Sequence, residues 1–176
     1  MRIIAGKYKK SNLFTVPGST TRPTTDYFRE VVFSIIGDVN NLDILDLYAG
    51  SGSVGFEALS RGAGFIDFVD FSQKSIKTLI RNIEKFKCST ECRIHRKKVS
   101  AFLKVCDKKF DVIFLDPPYN KNLVNKTIEL IVEFSLLKPD GIIIIEHSQD
   151  EKPDRKWQDK IIKERSGGKT FITIMK

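Results

Sequence analysis

Leu45-Asp46-Leu47-Tyr48-Ala49-Gly50-Ser51-Gly52-Ser53-Val54-Gly55 reads as a buried strand entering a glycine turn that opens a helix. Glycines 50 and 52 permit a tight turn and let backbone N–H groups approach a ligand closely. The spacing Gly50-x-Gly52-x-x-Gly55 alone fits a dinucleotide fold equally well, and glycines serving only the turn would read the same way. Asp46, four residues before Gly50, favours S-adenosylmethionine, because a carboxylate there repels pyrophosphate and attracts the ammonium group of that ligand.

On either side of this loop, apolar runs of strand length alternate with helical patterns, as in an α/β fold with a mostly parallel sheet covered by helices. Strands are expected at Asp43 to Leu47, Phe65 to Asp70, Glu91 to His95, Phe110 to Leu115 and Gly141 to Glu146. Ile142-Ile143-Ile144-Ile145 has no polar alternation, which suits a strand buried on both faces near the middle of the sheet. Ser72 can cap a helix whose apolar positions Ile76, Leu79, Ile80, Ile83 and Phe86 follow the helical period. Further helices are expected over Phe28 to Ile36, entered through Thr21-Arg22-Pro23-Thr24-Thr25-Asp26, and over Asn122 to Leu137, before the turn signal Pro139-Asp140-Gly141. Ser166-Gly167-Gly168 between two short apolar runs predicts an antiparallel hairpin on the sheet. Residues 1–20 read as a basic β-hairpin extension with Pro17-Gly18 as a turn, leaving 21–176 as the main domain.

Two strand ends carry candidate chemistry. Asp70 ends the second strand, where an acidic side chain can accept hydrogen bonds from both ribose hydroxyls of an adenosine cofactor; Asp67 lies deeper in that strand and is the weaker candidate. Phe114-Leu115-Asp116-Pro117-Pro118-Tyr119 ends the fourth. The Asp116 carboxylate and the Pro117 carbonyl can accept both N–H bonds of an aromatic amine and turn its lone pair towards a methyl donor. Pro118 adds a second residue without an N–H, and Tyr119 can stack on the base. A sulfonium methyl is already activated, so alignment and stabilisation of charge growing on nitrogen are the main tasks left to the protein.

Composition sets the remaining bounds. A chain of 176 residues, 41% hydrophobic and 30% charged, suits one soluble domain. It has no apolar stretch long enough for a membrane span and no secretory signal, so a cytoplasmic location is expected. Cys88, Cys92 and Cys106 read as free thiols; a zinc set with His95 can be written down but lacks paired knuckles. His95 and His147 read as structural residues, and no metal is expected. The net charge is +8; residues 1–30 hold six Lys/Arg against two Asp/Glu, residues 151–176 eight against four, and residues 31–150 sixteen of each. Basic ends around a neutral middle suit a polyanionic partner.

Taken together, Arg2-Ile3-Ile4-Ala5-Gly6-Lys7, the Thr21 to Asp26 segment with Arg29-Glu30, the Asp46 to Gly55 loop, Glu57-Ala58-Leu59-Ser60-Arg61-Gly62-Ala63 and Asp116 to Tyr119 resemble the bacterial 16S ribosomal RNA guanine-N2 methyltransferases. The resemblance spans nearly the whole chain. It implies a Rossmann-like seven-stranded class I methyltransferase fold with an antiparallel C-terminal strand. It implies S-adenosylmethionine as donor, S-adenosylhomocysteine as product, and a guanine of 16S rRNA as acceptor, within a small-subunit assembly particle and with the enzyme a monomer. The cofactor would be held by Asp46, Tyr48, Ala49, Gly50, Ser51, Gly52, Asp70 and Phe71, with Val99 and Ser100 near its adenine. Arg2, Lys7, Lys9, Lys10, Arg22, Thr24 and Thr25 would face the RNA. The chain departs from many relatives at Lys98-Val99-Ser100, where Asp or Asn is frequent, and at Tyr27-Phe28, where Arg often precedes an apolar residue. Three rival readings remain: an adenine-N6 DNA methyltransferase, which shares Asp-Pro-Pro-Tyr, a nicotinamide oxidoreductase resting on the glycine loop, and a non-catalytic RNA-binding domain.

Overall fold

The computed structural model describes residues 1–18, 26–168 and 170–176, apart from the Tyr27 side chain. Among them, five parallel strands form as expected: β1 (Asp43–Leu47), β2 (Phe65–Asp70), β3 (Cys92–Arg96), β4 (Phe110–Leu115) and β5 (Leu137–Ser148). The C-terminal hairpin, β6 (Ile161–Gly167) and β7 (Thr170–Met175), completes one seven-stranded sheet in the order β3-β2-β1-β4-β5-β7-β6. β7 inserts between β5 and β6 and runs antiparallel to both, so it is the one reversed strand of this sheet. The strand order turns back between β1 and β4, the place where α/β sheets bind ligands.

Helices cover both faces. The face bearing Ile44, Ile66, Phe68 and Ile144 is covered by α1 (Asp26–Ile36), α2 (Ser53–Ser60) and α3 (Gln73–Phe86). The face bearing Leu45, Leu47, Ile113 and Ile145 is covered by α4 (Val99–Leu103), α5 (Leu123–Glu133) and Trp157. Burial of both faces explains the unbroken apolar run at 142–145. None of the described helices is long and apolar enough to cross a membrane.

Three local expectations are corrected. α5 ends at Glu133, not Leu137, because Ser135 turns the chain at φ 51° and Leu137 pairs with Phe110 in the sheet. Pro139-Asp140-Gly141 is an irregularity inside β5, where the register passes from Phe110↔Leu137 to Val112↔Ile142. Only glycine fits at 141, since a Cβ there would lie 2.9 Å from the Phe110 carbonyl oxygen and 3.0 Å from that of Lys138.

The N-terminal hairpin has a single antiparallel bridge, Arg2↔Asn12, and it turns through Gly6 to Lys10, with Pro17-Gly18 a separate turn. Its support is tertiary. The fully buried Glu57 carboxylate accepts the Ile4 and Ala5 N–H groups (2.8 and 3.1 Å) and pairs with Arg61 (2.7 Å). The Tyr8 N–H donates to the Ser60 hydroxyl at 2.9 Å, and that hydroxyl donates to the Ala5 carbonyl. Ile3 and Leu13 sink into the core beside α1, α2 and α3. The Glu57 to Gly62 and Arg2 to Lys7 motifs, far apart in sequence, are therefore two halves of one clamp.

Candidate active site

The C-terminal ends of β1 and β4 open into a pocket lined by Phe28, Arg29, Val32, Asp46, Tyr48, Ala49, Ser53, Val54, Phe114, Leu115, Asp116, Ile144 and Glu146. One wall thus comes from the glycine loop and the opposite one from the end of β4. Sequence reasoning named Asp46, Tyr48, Ala49 and Asp116 for the site. Phe28, Arg29, Val32, Ser53 and Glu146 were missed, because they read as faces of a helix or as a strand end. For Glu146 the signal was its position, at the C-terminal half of a strand running beside β4.

The glycine loop is held open by carboxylates. The Gly50 N–H donates to Asp70 Oδ2 (2.9 Å), the Ser72 N–H to Asp70 Oδ1 (2.8 Å), and the Gly55 N–H to Asp46 Oδ2 (3.2 Å). Gly50 and Gly52 take φ 58° and 76°, the left-handed region that glycine enters without cost. At Gly50 an added Cβ would meet only the Tyr48 carbonyl at 3.8 Å, whereas at Gly52 it would strike Leu79 and Phe56 at 2.7 Å. Gly52 serves packing, and Gly50 leaves open space. Tyr48 is itself left-handed at φ 59°, and its hydroxyl shares a hydrogen bond of 2.9 Å with Thr127 on α5. That bond directs the ring into the pocket wall.

Asp67 is used elsewhere: His95 Nε2 lies 2.7 Å and Lys108 Nζ 3.1 Å from its carboxylate, which they hold below the usual range against its burial. This leaves Asp70 as the carboxylate in contact with the loop. His147, bonded to Ser148 and Thr173 and lowered by burial, is also structural. The Cys88 and Cys92 thiols lie 4.0 Å apart beneath α3, away from the pocket.

Asp116 reaches solvent through the pocket mouth and is enclosed by protein on its other sides, and this desolvation pushes its carboxyl up to about 7. Asp46 is pushed well above the usual carboxylate range, chiefly by burial and further by the nearby Asp116 and Asp70. Asp46, crowded by Asp116 across the pocket and by Asp70 behind the glycine loop, gains from a nearby cation. Tyr119, 42% exposed, stands beyond Asp116, and partial burial pushes its hydroxyl above the usual phenol range. Glu151, which the sequence did not single out, locks the loop after the motif. Its buried carboxylate accepts the N–H groups of Asn120 (2.7 Å), Lys121 (3.0 Å) and Asn122 (2.8 Å).

The remaining sequence-selected residues lie apart from these walls. Phe71 is exposed beside Asp70, Val99 is buried at the start of α4, and Ser100 is exposed next to it. Arg2 pairs with Asp26 (3.3 Å), and Lys7 with Glu91 (2.5 Å). Lys7, Lys9 and Lys10 sit by the C-terminal ends of α2 and α3, at the sheet edge opposite the pocket. Arg22, Thr24 and Thr25 fall outside the described residues.

The family model described as "Conserved hypothetical protein 95" matches residues 1–176. YlbH of Bacillus subtilis, named as a candidate rRNA methyltransferase, is 36% identical over 181 residues, covering 100% of this chain and 98% of that protein. "Ribosomal RNA small subunit methyltransferase D" of Haemophilus influenzae is 34% identical over 172 residues, covering 96% of this chain and 89% of that protein. Among solved structures, a candidate methyltransferase of Escherichia coli, yhhF, superposes with a TM-score of 0.86 at 28% identity over 99% of this chain and 96% of that one. By family model, relatives and fold, this chain belongs to the Conserved hypothetical protein 95 family and is a methyltransferase with the class I fold.

Proposed function

We propose that the protein transfers a methyl group from S-adenosylmethionine to the exocyclic N2 amine of a guanine in 16S rRNA. The observation that carries this is the meeting of Asp116 with Asp46, Tyr48 and Ala49 across one pocket, which puts an amine acceptor beside a loop suited to the donor. The names of the two relatives support rRNA as substrate, and that of the Haemophilus influenzae protein the small subunit.

The residues present fit the donor. A cationic ligand relieves the repulsion among Asp46, Asp70 and Asp116, and the space at Gly50 admits a close ligand. The bound donor supplies an activated methyl on a positively charged sulfur. Asp46 and the Tyr48 to Gly52 turn hold its amino-acid end. Asp70 keeps a lone pair on each oxygen after accepting Gly50 and Ser72, enough for the ribose hydroxyls. Phe71, Val99 and Ser100 border the adenine. Asp116 and the Pro117 carbonyl accept the amine hydrogens, Pro117-Pro118 stiffen that acceptor, and Tyr119 stacks on the base. Residues 1–20 form a basic extension on the 21–176 catalytic unit, with Arg2, Lys7, Lys9, Lys10, Arg22, Thr24 and Thr25 towards the RNA. The enzyme acts as a cytoplasmic monomer on an assembling small-subunit particle.

A labelled-methyl assay on small-subunit particles, naked 16S rRNA and duplex DNA tests the substrate. Label in a guanine of the rRNA is expected; label confined to DNA adenine overturns the assignment in favour of the adenine-N6 reading.

The carboxyl raised to about 7 gives a pH dependence. A bound cation favours ionised Asp116, so below that value the proton must leave as the donor binds, and affinity declines by at most about tenfold per pH unit. Titration calorimetry should show S-adenosylmethionine binding more tightly at pH 8 than at pH 5.5, with a smaller difference in Asp116→Asn. Equal affinities at both pH values in the wild type would contradict a link between Asp116 and the donor.

A further inference from the structure

The balanced charge of residues 31–150 conceals a segregation. Residues 73–98 carry nine Lys/Arg against two Asp/Glu, a net +7 that the rest of residues 31–150 offsets. This stretch is α3, the turn after it and the edge strand β3 with its exit. On α3 the exposed Lys74, Lys77, Arg81 and Lys85 follow spacings of three and four residues and form one stripe, opposite the face that buries Ile76, Leu79 and Phe86. The stripe is about 16 Å long at the helical rise. At its upper end β3 closes on Arg96, in register with Asp70, and the exposed Lys97 and Lys98 follow. At its lower end Lys85 donates to the Asn12 carbonyl of the N-terminal hairpin.

A lysine row on a helix is ordinarily a solvated face, and such faces usually interleave acidic partners. Here, among the described residues, no ion pair involves Lys74, Lys77, Arg81, Lys85, Arg96, Lys97 or Lys98. The stripe is also braced. The Arg81 guanidinium stacks 3.9 Å from the centre of the half-exposed Phe14 ring, and Lys85 lies 5.1 Å from it. Asn82, on the buried side of the same turn, bonds Phe14 N (2.9 Å), Phe14 O (3.1 Å) and Ser51 O (3.0 Å). One side chain thus ties the helix, the aromatic platform and the glycine loop together. A row of cations outside any ion pair, braced at Arg81 and Lys85 and ending at the strand end where Asp70 holds the glycine loop, complements a polyphosphate backbone.

We infer that the outer face of α3 and the exit of β3 form the docking surface for the RNA backbone, leading the substrate strand to the pocket mouth. This rests on RNA being the substrate. It moves the principal phosphate contacts from the N-terminal lysines, at the far edge, to a helix whose periodicity had suggested only a core face.

The test is fluorescence anisotropy of the full chain with a labelled hairpin RNA over a series of salt concentrations. The triple variant Lys74→Gln/Lys77→Gln/Arg81→Gln should flatten the plot of log affinity against log salt by about 2 to 3 relative to wild type. S-adenosylmethionine affinity, measured by calorimetry, should be retained. The double variant Lys74→Glu/Lys77→Glu keeps the Arg81–Phe14 stack and should weaken RNA binding at low salt, which separates loss of charge from loss of packing. Wild-type binding with unchanged slope and affinity in both variants overturns the docking surface alone. A wild-type chain that shows no salt-dependent RNA binding overturns the RNA assignment and this inference with it.

Discussion

In the Asp116→Ala protein, methyl transfer to RNA falls by at least about a hundredfold, the scale of losing substrate alignment, while donor binding and the fold persist. Donor binding survives because Asp46, Asp70 and the glycine loop keep their own bonds: Gly55 to Asp46, and Gly50 and Ser72 to Asp70. The same change should not cost stability. An unfolded aspartate loses its proton near 3.8, whereas this one holds it to about 7. The folded state is therefore progressively disfavoured as pH rises through that window, and Asp116→Asn should melt above the wild type at pH 8 and level with it at pH 3. Exposure through the pocket mouth keeps the gain small. Single-turnover rates with thermal melts at both pH values check the pair of effects, and a wild-type rate in Asp116→Ala would contradict a role in transfer.

Glu151→Ala should act on the same step from a distance. Its carboxylate is the shared acceptor for three consecutive N–H groups, at Asn120, Lys121 and Asn122, directly after the Asp116 to Tyr119 motif. Asn120 and Asn122 both take left-handed conformations, at φ 60° and 52°, and this carboxylate holds the turn they make. Removing it leaves partly buried donors unmatched, at about 1 to 3 kcal/mol, and frees Tyr119. We expect a lower melting temperature and a fall in kcat of about tenfold or more, with donor affinity unchanged. Glu151→Gln retains one acceptor oxygen and should recover part of both. A variant with full kcat would show that the loop needs no such support.

The parts of the fold that were legible in sequence are those fixed by local contrast. β1, β2 and β4 match their expected limits because each apolar run ends where a glycine, proline or acidic residue breaks it. The cap at Ser72 was visible as a hydroxyl before a periodic run, and its oxygen accepts the Ser75 N–H at 3.5 Å. The end of α5 was not legible, since Leu136 is buried in the turn and Leu137 is partly buried in the sheet, paired with Phe110, so apolar spacing continued past the helix. The N-terminal turn was misplaced because Gly6, at φ 79°, owes its position to Ser60, whose backbone oxygen lies 1.7 Å from where a Cβ would stand.

At the site, the carboxylates at strand ends could be read because topology alone carries them to one edge. Glu146 and Glu151 could not, since their roles depend on which strand lies beside β4 and on bonds spanning about thirty residues. The charge of α3 was present in the sequence but averaged away over too long a window. Periodicity separated its buried positions from its exposed ones, and only the fold set those exposed positions beside Phe14 and the β3 exit.

The most direct measurement is a crystal structure with S-adenosylhomocysteine bound. Its amino-acid end is expected against the Tyr48 to Gly52 turn, its ribose at Asp70 and its sulfur facing Asp116. Product bound with its sulfur turned away from Asp116, or held outside the pocket between β1 and β4, would contradict this arrangement.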